Sequence, residues 1–135
     1  EVDTFMNYSG PALNLLFDTG HMAMAGGDLQ RVIVNHHARI SHIHTKDIRK
    51  SVLQKLERQK ESFLDAVIKG VFTVPGDGDL DFDKVVKLLA SFGYQGWFVV
   101  EAEQNPIINP PFEMAKIGYQ KLFDTLMSSG YQLIG

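Results

Sequence analysis

Three short apolar runs in this sequence each end in side chains that bind metals or move protons. Leu13-Asn14-Leu15-Leu16-Phe17 leads into Asp18-Thr19-Gly20-His21. Ile40-Ser41-His42-Ile43-His44 leads into Thr45-Lys46-Asp47. Trp97-Phe98-Val99-Val100 leads into Glu101-Ala102-Glu103. None of the runs begins with such residues. In parallel α/β folds, sites gather at the carboxyl ends of strands, so the three endings are expected on one rim. Carboxylate oxygens with one or two imidazoles suit Mn²⁺, Co²⁺, Mg²⁺ or Zn²⁺. The chemistry to expect there is Lewis-acid activation combined with proton transfer.

Each residue also has a plainer reading. Asp18-Thr19-Gly20 is good turn chemistry, although no helix is expected directly after it. His21 by itself reads as a polar loop residue, and its place three after Asp18 is what makes it a site candidate. His42 and His44 are two apart in a strand and share a face, so one can be a ligand while the other orients or packs. Glu101 closes an apolar strand, which is costly for a carboxylate without a partner or a metal. Glu103 shares its face but lies further out, where a surface charge is an equal reading. His36 and His37, at a helix C-terminus, favour the macrodipole and are expected to be exposed. The alternating Asp77, Asp79, Asp81 and Asp83 imitate a calcium loop. Counted from Asp77, however, the sixth and twelfth positions are Phe82 and Leu88 instead of Gly and Glu, which excludes that site.

The elements that must position these residues follow from patterning. The three runs are short, apolar and bounded by turn residues, as buried strands are. Helices are expected to end near Tyr8, to start at Asp28, to run from about Ile48 to Ile68, and to start at Asp81. The last one carries Phe112, Ala115, Tyr119, Leu122, Phe123 and Leu126. Within the long helix, Glu57-Arg58-Gln59-Lys60-Glu61 is a polar stretch that reads as a break or a solvated bridge. Strands alternating with helices predict an α/β fold with a parallel sheet. Three strands cannot close a barrel or cover their own edges.

Composition narrows the function classes. The chain has 135 residues, is 44% hydrophobic and 21% charged, and carries a net charge of −3, so a nucleic-acid backbone is not an expected partner. No apolar stretch approaches the roughly 20 residues of a membrane span. There is no cysteine, which excludes disulfides and thiolate metal sites and fits a cytoplasmic protein. The opening Glu1-Val2-Asp3, without Met, reads as a piece of something longer.

Phe17-Asp18-Thr19-Gly20-His21, Ile43-His44-Thr45-Lys46-Asp47, Gly76-Asp77-Gly78-Asp79 and Val99-Val100-Glu101, in this order and spacing, resemble the xylose isomerase-like barrel superfamily. That group contains sugar isomerases, 3-epimerases, endonuclease IV and inosose dehydratases, and the last branch is the most similar. The resemblance implies that residues 1–135 are a single-domain fragment. It would be the C-terminal half of a (β/α)8 TIM barrel, holding about strands six to eight. It implies Asp18, His44 and Glu101 as three of four metal ligands, the fourth, a Glu, lying upstream. His21, Lys46 and Asp47 match substrate-contacting positions, and Glu101 and His21 are the candidates for catalysis. The implied cofactors are Mn²⁺ or Co²⁺ and, in the dehydratases, glutathione, for which no residue here is assigned. The implied reaction removes water from a cyclitol ketone through an enediolate. A ketose 3-epimerase or hydroxypyruvate-type isomerase uses the same ligands. A half-barrel without activity, pairing with a second copy or with a missing N-terminal half, is the alternative outside enzymes.

Overall fold

The structure, a computed structural model, describes residues 1–57 and 59–134. In chain order its elements are α1 (Val2–Tyr8), β1 (Leu15–Asp18), α2 (Thr19–Met24), α3 (Leu29–His36), β2 (Ile40–Thr45), β3 (Asp47–Ile48), α4 (Lys50–Leu53), α5 (Phe63–Ile68), β4 (Phe72–Thr73), α6 (Phe82–Ser91), β5 (Trp97–Val100) and α7 (Pro111–Ser128). A 3-10 turn, His37–Arg39, joins α3 to β2.

The three apolar runs form one parallel sheet in the order β1-β2-β5. Register aligns Phe17, Ile43 and Phe98 in one row and Asp18, His44 and Val99 in the next. Side chains alternate faces along a strand, so adjacent rows lie on opposite sides. On one side Phe17 and Ile43 pack with Val32 and Ile33 of α3 and Val85 and Leu89 of α6. Burial of that face is what holds helices and sheet together. Val86 of α6 packs in turn on Leu122 and Leu126 of α7. The other side carries Leu16, His42 and Trp97 in one row and Asp18, His44 and Val99 in the next. This side is open, with Trp97 73% exposed.

Hydroxyl groups stitch the strand ends together. Thr19, fully buried, donates through Oγ1 to the Lys46 carbonyl at 2.6 Å and lies 3.3 Å from that of His44. Thr45 Oγ1 donates to the Val99 carbonyl at 2.8 Å. These bonds tie β1 to β2 and β2 to β5 at the rim where the candidate ligands emerge.

Asp28 and Asp81 cap α3 and α6, as expected. Three expectations need correction. The long helix from Ile48 to Ile68 is instead a strand and two short helices. Ile48 is drawn into a second core with Ala66, Val71 and Phe72, and Asp47–Ile48 pairs antiparallel with Phe72–Thr73. Ser62 and Asp65 then form a reciprocal capping box that starts α5 afresh. Of the polar stretch before it, Arg58 lies outside the described residues. Second, α7 buries Leu122 and Leu126 as expected, but also Met114, Gly118 and Thr125, while Phe112 and Tyr119 are exposed. A Cβ on Gly118 would lie 2.6 Å from Val100 Cγ1 and 2.8 Å from Val74 Cβ, so the helix approaches β5 along its smallest residue. Third, His36 is buried, with Nε2 2.7 Å from Asp3 Oδ1, so α1 covers it. Among the described residues no helix is long and apolar enough to cross a membrane.

Candidate functional site

A helix does begin directly after Asp18, against expectation, and Asp18 is its N-cap. Oδ1 accepts the His21 N–H at 2.8 Å, which leaves Oδ2 for the site. Oδ2 lies 3.4 Å from His21 Nδ1, 3.5 Å from His44 Nδ1 and 3.3 Å from Lys46 Nζ. Asp18 thus caps the helix with one oxygen and faces His21, His44 and Lys46 with the other. His44, one residue short of the end of β2, places Nδ1 3.5 Å from Glu101 Oε2. Asp18, His44 and Glu101 each offer one ligand atom, and the three atoms lie within 4.8 Å of one another. Three adjacent strands thus bring together the trio expected from sequence.

Lys46 is the centre of this cluster. Its side chain is completely buried, and Nζ lies 2.6 Å from Glu103 Oε2, 2.8 Å from Glu101 Oε2 and 3.1 Å from His21 Nε2. The stem passes over Gly20, where a Cβ would come within 2.5 Å of Lys46 Cγ. Burial alone would pull the Lys46 pKa down; the Glu101, Glu103 and Asp18 carboxylates outweigh it and hold the ammonium above its ordinary value. Three carboxylates against one ammonium leave the cluster an excess of negative charge.

Glu103 belongs to the cluster, contrary to its surface reading, since Oε1 also lies 3.2 Å from His21 Nε2. The signal for it was its shared face with Glu101. His21, 43% exposed, is the cluster's most open member. Its ring packs edge-on against Phe72 at 5.1 Å between centroids and tilts against Phe63 at 5.8 Å. The His42 ring meets that of His44 edge-on at 5.5 Å, the packing partner of the pair.

Lys46 and Asp47, expected to touch substrate, are engaged by protein. Asp47 is fully buried, and its Oδ1 accepts the N–H groups of Ile48 at 2.8 Å and Leu80 at 2.9 Å. A Cβ at Gly78 would collide with that carboxylate and come within 2.7 Å of the Ile48 carbonyl. Asp77 pairs with Arg49 and accepts from Thr73, while Asp79 accepts the Lys50 N–H at 2.7 Å. With Asp81 as a cap, three of the alternating aspartates fasten a loop, and Asp83 pairs with Lys121 at 2.9 Å. Of His21, Lys46 and Asp47, only His21 is open to solvent.

One imidazole nitrogen and two carboxylate oxygens from three strands are a donor set suited to a divalent cation. Glu101 Oε2 is buried and, among the described residues, receives no well-aligned hydrogen bond although Lys46 Nζ lies 2.8 Å away, so it keeps a lone pair to give. The residues present fit a metal.

A parallel sheet backed by helices, with the ligand-type residues at its carboxyl rim, defines the class of a barrel-type α/β fold. The chain belongs to the xylose isomerase-like TIM barrel family, whose pattern matches residues 2–121. It is 46% identical over 133 residues to the rhizopine catabolism protein MocC of Rhizobium meliloti, covering 98% of this chain and 41% of that protein. It is 48% identical to an inosose dehydratase of Geobacillus thermodenitrificans, over 93% of this chain and 42% of the relative. It is 49% identical to an inosose dehydratase of Erwinia tasmaniensis, over 85% and 40%. The chain therefore spans about two fifths of the length of the relatives it matches.

Proposed function

We propose that residues 1–135 supply strands six to eight, the C-terminal half, of a barrel that works in the cytoplasm as an inosose dehydratase. This hydro-lyase removes water from 2-keto-myo-inositol (scyllo-inosose). The observation that carries the reading is the meeting of Asp18, His44 and Glu101 within 4.8 Å at the ends of three neighbouring parallel strands. The similarity to inosose dehydratases over most of the chain supports this activity among those of the family.

In this reading Asp18, His44 and Glu101 hold the cation, Mn²⁺ or Co²⁺ by family resemblance, and a fourth ligand comes from outside these residues. A divalent cation at this place supplies Lewis-acid polarisation of a carbonyl and its neighbouring hydroxyl. Glu101 takes the proton next to the carbonyl. His21 stands at the open side of the cluster, held between Asp18 and Glu103, and donates a proton to the hydroxyl that leaves. The aromatic rings of Phe63 and Phe72 fix its plane. Glutathione is a further cofactor by resemblance, with no residue of this chain assigned to it.

The test is turnover by the full-length protein loaded with Mn²⁺. Scyllo-inosose is expected to be consumed with the rise in absorbance of the trihydroxycyclohexane-dione that loss of one water leaves. Glu101→Gln and His21→Gln are each expected to lower kcat by about 10²–10⁴-fold. Turnover of a ketose with none of inosose would replace this activity by the epimerase or isomerase.

A further inference from the structure

Lys46 stands on the same oxygens that a metal would use. Its Nζ lies 2.8 Å from Glu101 Oε2 and 3.3 Å from Asp18 Oδ2, the two atoms that also meet His44 Nδ1 at 3.5 Å. On its other side Nζ lies 2.6 Å from Glu103 Oε2 and 3.1 Å from His21 Nε2, neither of which belongs to the ligand trio. The ammonium is thus shared between two sets of partners. An ammonium has three protons to donate, and here four groups compete for them. Among the described residues, neither Glu101 Oε2 nor Glu103 Oε2 receives a well-aligned hydrogen bond. The charge has no route to solvent, because the side chain is wholly buried and its stem is packed against Gly20.

Two cations cannot share Asp18 Oδ2 and Glu101 Oε2 at full strength, since like charges a few ångströms apart repel strongly in a partly buried site. We infer that Lys46 is a built-in counter-cation that competes with the divalent metal. It neutralises the converging carboxylates when no metal is bound, and it withdraws onto Glu103 when metal takes Asp18 and Glu101. This rests on the metal reading above. Glu103 is then a positioning residue, the retreat that keeps Lys46 compatible with a loaded centre. The competition holds metal affinity below what the donors alone would give, and it spares the strand ends from depending on metal for their convergence.

Calorimetric titration of the full-length protein with Mn²⁺, together with thermal unfolding in chelator, tests this. Lys46→Met keeps a comparable stem and removes the charge. It is expected to bind Mn²⁺ about tenfold tighter or more. In chelator it is expected to lose several degrees of Tm, roughly 2–8 °C, which saturating Mn²⁺ restores. Glu103→Gln is expected to bind Mn²⁺ several-fold more weakly, and that loss should shrink in the Lys46→Met background, because the two residues act through each other. A folded Lys46→Met that binds no tighter than the parent overturns the inference and leaves the metal reading standing. Absence of Mn²⁺ binding in both parent and variant overturns both. If Lys46→Met does not fold, Glu103→Gln decides: unchanged affinity defeats the proposal.

Discussion

Asp47 shows how a residue next to the site serves it without touching it. Burial holds its carboxyl above the usual carboxylate range, against the pull of the Leu80 and Ile48 N–H groups. An acid with a raised folded value binds more protons folded than unfolded. Its contribution to stability therefore falls as pH rises from the ordinary value of 3.8 through the raised one. Asp47→Asn keeps an acceptor for both N–H groups and cannot ionise. The stability of the parent relative to this variant, from urea midpoints across about pH 4 to 7, is expected to decline with pH. A difference that stays level would mean that Asp47 is solvated in the folded protein. That Asp18, His44 and Glu101 are site candidates was legible at this scale, because such residues are costly at the ends of apolar strands; choosing these three as one set came from the family resemblance. The roles of Lys46 and Glu103 were not. Their contacts join positions 25 to 82 residues apart, and register between strands, which sequence spacing does not encode, brings them together.

At the scale of elements, strands and caps were legible and partners were not. β5 fell where the run Trp97–Val100 placed it, and Asp28 and Asp81 opened the helices they were expected to open. Periodicity failed over Ile48–Ile68, where apolar residues spaced for one helix serve a strand and two helix fragments in a separate core. On α7 it held for Leu122 and Leu126 and failed for Phe112 and Tyr119, because the stripe was counted from large side chains while contact with β5 runs through Gly118. That contact is testable. Gly118→Ala inserts a methyl against Val100 and Val74 and is expected to cost about 1–3 kcal/mol by overpacking, read from denaturant unfolding. Helix propensity alone would make the same change stabilising by roughly 1 kcal/mol. The sign of the result therefore tells which effect dominates.

At the scale of the whole molecule, the sheet has one face closed by α3 and α6 and one face open, with edge strands β1 and β5 unpaired on their outer sides among the described residues. A parallel sheet is ordinarily covered on both faces, so a barrel that continues beyond these strands is the arrangement this surface fits. The open side happens to carry Trp97, the single tryptophan of the sequence, beside Leu16 and His42. Its indole is therefore a native optical probe of barrel closure. Excited at the red edge of tryptophan absorption, the 135-residue chain alone should emit at the long wavelength of a hydrated indole and be quenched readily by iodide. On mixing with a complementary half that carries no tryptophan, emission should move to the blue and quenching should fall. Identical spectra in the two would mean that this side of the sheet faces water in the finished protein.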